Sequence, residues 1–266
     1  MTPVAVPREP GPPRGTAAQL LTAELLRRFP LRVGAHVRLT AAPDALRVPL
    51  VADLLGRASE LLGGQTLVAF IGPGRDDDRW AGFLQRVSVI DVHPPVAYGS
   101  VQQVAEEVGR PAAVQVADDT AALTAGATGT ETRILVAPVL RADADTDTSA
   151  GRADHPGPGE PLAVRLALLS RKYDQPVALA DTAVDAARRT LARWRAAMAA
   201  WAEEPSAALP PTTLHRARTA MADLDTPALL ALLARTETDG TPGGAKFETF
   251  AYLDRVLGVG LATDLR

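Results

Sequence analysis

The chain has 266 residues, 47% of them hydrophobic, which is enough for one large domain or two modest ones with a full core. Its formal net charge of -3 gives no bulk attraction to a phosphate backbone, so tRNA or DNA binding would need a local basic face; none is obvious, and no DNA partner is expected. The absence of cysteine excludes disulfides and thiolate metal sites, and there is no run of about 18 apolar residues to cross a membrane.

Thr2 to Gly15 carry five prolines and few large apolar groups, which predicts an extended arm over 1–15. Leu20, Leu21, Leu25 and Leu26 then recur at helical spacing, and Pro30 ends this first helix. Leu31 to Leu39 alternate apolar and polar residues and read as a strand. Asp44 reads as the N-cap of a helix from Ala45 to Leu62, closed by Gly63-Gly64. The continuous apolar run Thr66 to Ile71 predicts a buried parallel strand.

Gly72-Pro73-Gly74 lacks the lysine of a phosphate loop and reads as a turn. The acidic run Asp76-Asp77-Asp78 reads as a solvated helix start rather than a cation site. Strands over Ala112 to Val116 and Arg133 to Val139 flank a short helix from Asp118 to Ala125. The expectation is an α/β fold: a reduced, Rossmann-like parallel sheet of four strands within residues 16–140. A polar, mobile loop over 141–160 follows. Proline-marked helices over Pro161 to Tyr173, Leu179 to Trp201, Pro211 to Ala222, Pro227 to Arg235 and Ala245 to Leu257 then predict an α-helical bundle over 161–266.

Three stretches carry a family resemblance. One is Leu162 to Asp174, ending in Ser170-Arg171-Lys172-Tyr173; the second is the helix with Arg188, Arg189, Arg193, Trp194 and Arg195; the third is Asp223-Leu224-Asp225-Thr226-Pro227. They resemble the helical region behind the catalytic domain of cysteinyl-tRNA synthetases, and more closely that of the cysteine ligase of mycothiol biosynthesis. Leu46 to Leu55 is similar to the family's helix Ala-Arg-x-x-Val-Val-x-Asp-x-Leu, with Arg47 and Asp53 at its polar positions. Val92 to Tyr98 and Val101 to Val108 resemble the Leu-Pro-Pro segment and the helix after it. The resemblance implies a class I synthetase fold, and in the family that fold serves ATP-dependent activation of an amino acid.

The departures bear on function. Where the family's His-Ile-Gly-His loop holds ATP, this chain has Thr40-Ala41-Ala42-Pro43-Asp44, with no imidazole or glycine and with a carboxylate that repels phosphate. The family's zinc ion, held partly by cysteine, has no cysteine here, and His36, His93, His155 and His215 lack ligand spacing. The stretch Ala142 to Arg152, where Lys-Met-Ser-Lys-Ser would neutralise pyrophosphate, is acidic. We therefore expect no catalytic residues, no zinc and no cofactor. The expected role is that of a pseudoenzyme, a catalytically degenerate relative acting as a binding or accessory subunit with a protein partner or a second copy of itself. Two alternatives stay open: a remodelled ligase that forms an aminoacyl adenylate with ATP and magnesium, and a small-molecule binding module using the old cleft. Any nucleotide would fall to Arg38, Thr40, Arg47 or Arg75. The Arg-rich face around Arg188 and Arg189 is diluted by Asp181 and Asp185, and with no anticodon-reading extension expected, tRNA is not an expected partner. No secretion signal is legible, which predicts a cytoplasmic protein. Lysine is confined to Lys172 and Lys246 against abundant arginine and alanine, a bias that suggests a high-GC, actinobacterial source.

Overall fold

The computed structural model describes residues 30–124, 131–140 and 161–263, together with Leu21 and Leu26. The expected arm, most of the first helix and the 141–160 loop lie outside the described residues. Strand β1 (Leu31–His36) is central in a five-stranded, all-parallel sheet of order β3-β2-β1-β4-β5, with β2 at Thr66–Ile71, β3 at Ala97–Gly99, β4 at Val114–Ala117 and β5 at Thr132–Leu135. Val33 is in register with Val68 on one side and Val114 on the other. A central parallel strand is covered on both faces, which is why Leu31, Val33 and Ala35 are all buried.

The sheet has one strand more than expected. Ala97–Gly99 is only three residues long and follows Pro94-Pro95, so no apolar run announces it. The strand expected over 133–139 ends at Leu135; Val139–Leu140 instead forms β6, which pairs with β7 (Val177–Ala178) in a separate two-stranded parallel sheet. Asp44 is not an N-cap. It lies in a 3-10 turn over Pro43–Leu46 and leads into helix α1 (Arg47–Leu61).

Helix α1 is buried on nearly every side, because it packs on β1 and β2 with one face and on the helices after the sheet with the other. Helix α2 (Arg79–Val89) lies on the same side of the sheet, with Phe83 edge-on to Phe70 at a ring separation of 6.0 Å. Helix α3 (Val101–Val108) covers the opposite face through Val104, which packs with Ala69, Ile71 and Ala97. Right-handed crossovers require this arrangement: the chain steps outward through α1 and α2, then reverses direction through α3 to place β4 on the far side of β1. Helix α4 (Thr120–Thr124) connects β4 to β5.

The remaining helices are α5 (Pro161–Leu169), α6 (Asp181–Trp201), α7 (Pro211–Ala222), α8 (Thr226–Thr238) and α9 (Gly243–Leu257). Helices α5, α6, α8 and α9 differ from the expected ends by one to four residues, because apolar spacing marks the buried face of a helix and not its last turn. Trp194 of α6 is buried, with its ring edge-on to Phe250 of α9. A single apolar core continues from Leu31 in the sheet to Leu261 beyond α9.

Candidate functional site at the open end of the sheet

In an open parallel sheet, ligands bind outside the carboxyl ends of the strands where the connections reverse direction, which here is between β1 and β4. Strand β1 leaves the sheet through His36, Val37 and Arg38, and β4 leaves it into Asp118. The Arg38 guanidinium bridges the gap. Its Nη2 lies 2.6 Å from Asp44 Oδ2 and 2.5 Å from Asp118 Oδ2. Partial burial weakens its basicity, but Asp118 and Asp44 outweigh that and raise its pKa. Asp119 spends its carboxylate on the backbone N–H of Ala121. One cation thus faces two carboxylates at the crevice.

The floor of the site is His36, whose Nε2 is 2.8 Å from Gln115 Oε1 on β4. Burial lowers the pKa of His36, with the Gln115 hydrogen bond opposing the shift. Gly34 makes room for this pair, since a Cβ there would lie 2.8 Å from Gln115 Oε1 and 2.8 Å from the Ile71 side chain.

The four residues that the sequence put forward for a nucleotide do not converge. Thr40 follows Arg38 on the same loop, and its carbonyl accepts a hydrogen bond from Arg86 at 2.8 Å. Arg75 stands at the outer edge, over the Tyr98 ring at 5.1 Å and ion-paired with Glu107. Arg47, only 2% exposed, points away from the crevice. It donates to the carbonyls of Ala137 at 2.6 Å, Pro138 at 3.2 Å and Lys172 at 2.9 Å. Burial lowers its pKa to about 10 against the pull of Asp174.

Gly72-Pro73-Gly74 wraps the Trp80 indole, whose Nε1 donates to the carbonyls of Pro73 at 3.1 Å and Gly74 at 3.2 Å. Asp77 pairs with Arg79, which holds its carboxyl at about 2. Asp118 and Gln115 were missed by sequence reading. A lone polar residue at a strand end has no spacing signature, and only the strand order gives it a position. Among the described residues, no group of three His, Asp or Glu side chains is placed to hold a metal ion, and no helix is long and apolar enough to cross a membrane.

Three of the four arginines on the Arg-rich face of α6 are engaged within the fold, and Arg189 is exposed. Arg188 pairs with Asp185, Arg193 with Glu237 at 2.8 Å, and Arg195 donates to the carbonyls of Gly260 at 2.7 Å and Val259 at 3.1 Å.

No family model matches the chain. It is similar to the L-cysteine:1D-myo-inositol 2-amino-2-deoxy-alpha-D-glucopyranoside ligase of Thermobispora bispora, at 40% identity over 104 residues. The protein of the same name from Streptomyces griseus is 37% identical over 108 residues. Each match covers 38% of this chain and 25% of the relative, so the chain spans about a quarter of the length of the curated relatives it matches. With a five-stranded parallel sheet followed by helices, and with this similarity, the chain resembles the cysteine-ligase relatives of the class I cysteinyl-tRNA synthetases.

Proposed function

We propose that this ligase-like chain works by binding rather than by adenylation, as a catalytically degenerate accessory subunit of a cytoplasmic biosynthetic or regulatory complex. The observation that carries this reading is the state of Arg38: the cation at the switch point is already neutralised by Asp44 and Asp118. A triphosphate needs converging donors and excess positive charge. The described crevice offers a guanidinium between two carboxylates and a histidine whose charged form burial disfavours. These residues do not fit ATP. With no cysteine in the chain, a thiolate-bound zinc does not fit either.

The test is amino-acid-dependent ATP–pyrophosphate exchange on the folded protein, with magnesium, cysteine and a panel of other amino acids. Background exchange supports the reading, and recovery of a partner at fixed stoichiometry from source-cell extract establishes the accessory role. Exchange above background sinks it and makes the chain a remodelled ligase in which Arg38 must leave both aspartates.

A further inference from the structure

Where α5 and α9 meet α1, the side chain of Arg165 is completely excluded from solvent (0% exposed). Its Nε donates to the carbonyl of Leu257 at 2.5 Å. Its Nη1 donates to the carbonyls of Ile90 at 3.0 Å and Asp91 at 2.9 Å, and its Nη2 to Asp53 Oδ2 at 2.7 Å. One guanidinium on α5 therefore ties together α1, the turn after α2 and the last residue of α9. Arg57 joins from α1, donating to Asp53 Oδ2 at 2.8 Å and to Asp91 Oδ2 at 2.9 Å. Asp53 also accepts the backbone N–H of His93 at 3.0 Å.

Gly258 closes this cluster. It ends α9 in the left-handed conformation (φ 60°), and a Cβ there would lie 2.7 Å from Arg57 Nη1 and 2.8 Å from Arg165 Nη2. Both its backbone and its missing side chain are needed where it stands. Burial and the neighbouring Arg57 press the pKa of Arg165 down while Asp53 holds it up.

A buried ion pair is a costly way to hold two surfaces together, since an apolar side chain of similar volume serves stability as well or better. What the guanidinium adds is direction. Its N–H groups form a rigid planar fork, and they are satisfied only where the carbonyls of Leu257, Ile90 and Asp91 and the carboxylate of Asp53 all fall in place. An apolar seam tolerates sliding; a seam around this charge does not, because a shift by one helical turn strands a buried cation. We infer that the Arg165–Asp53–Arg57 cluster is a registration lock, which admits a single seat of the helices on the sheet and makes the two open together. The inference is independent of whether the crevice holds any ligand.

Native-state hydrogen exchange on the full chain, in urea below the unfolding transition, tests it. The slowest amides of β1 and β4 and those of α5 and α9 are expected to share one opening reaction. Helices that open while the sheet stays protected would overturn the lock. Arg165→Lys keeps the charge and loses the fork, and is expected to speed exchange of α5 and α9 on the order of a hundredfold relative to the sheet. A folded lysine variant in which sheet and helices still open together removes Arg165 from the role. Should that variant not fold, Asp53→Asn combined with Arg57→Met and Arg165→Met leaves an uncharged seam, expected to fold with the two parts opening separately; shared opening there overturns the inference as well.

Discussion

The Arg47 guanidinium hydrogen-bonds the carbonyl of Lys172 at 2.9 Å, so the first residue of α1 holds the chain just past the end of α5. Two further carbonyls, of Ala137 and Pro138, share the same side chain. We expect Arg47→Ala to cost about 2 kcal/mol, because a buried side chain is lost and three part-buried carbonyls lose a charged donor at once. Arg47→Lys should recover little of this, since a single ammonium does not span the three. Urea denaturation checks both: the midpoint should fall with an unchanged slope.

At the crevice the expectation is the reverse. Arg38 is half-exposed, so Arg38→Ala should cost less than about 1 kcal/mol, and less still at high salt. Converting both Asp44 and Asp118 to asparagine should instead release the guanidinium and give salt-dependent pyrophosphate binding that the natural chain lacks. Calorimetric titration of both proteins measures it. A folded double variant that takes up no pyrophosphate would show that the crevice lacks more than free positive charge.

His36 predicts a window of acid sensitivity. Burial holds its folded-state pKa below the ordinary 6.5, so the unfolded chain takes up a proton at higher pH than the folded one does. The His36 contribution is therefore complete above about pH 6.5 and is lost as pH falls through that value toward the lower, folded pKa. His36→Gln should flatten the stability profile across that interval, as followed by thermal melts from pH 5 to pH 8.

Asp225 and Thr226 give a two-part test of the α8 boundary. Asp225 Oδ1 accepts the Ala228 N–H at 3.0 Å as the N-cap, and Thr226 Oγ1 donates to the buried carbonyl of Leu169 at 2.7 Å. Asp225→Ala should cost about 1 kcal/mol. Thr226→Val, nearly equal in volume, should cost about 1–3 kcal/mol by leaving that carbonyl unpaired. Because the first change touches only the helix end, hydrogen exchange should place its effect in α8 alone.

The strands that bury both faces were legible because β1, β2 and β4 must be apolar along most of their length. Strand β3 was not, because three residues behind two prolines offer no period to read. Arg38 was legible as a cation leaving a strand, whereas Asp118 acquires meaning only when β4 is found beside β1. Arg47 and Arg75 were visible as charges, but sequence does not show what a charge faces: three carbonyls for Arg47, and Glu107 and Tyr98 for Arg75.

The polar positions that make α1 recognisable, Arg47 and Asp53, both point to internal partners and neither to the crevice. Scaffold and pocket are thus written in separate letters of the same helix and its leading turn. Substitutions at Arg38, Asp44 or Asp118 can rewrite what the open end accepts while the buried ties of Arg47 and Asp53 stay in place. A lineage carrying this chain is free to wander chemically while remaining, architecturally, where it began.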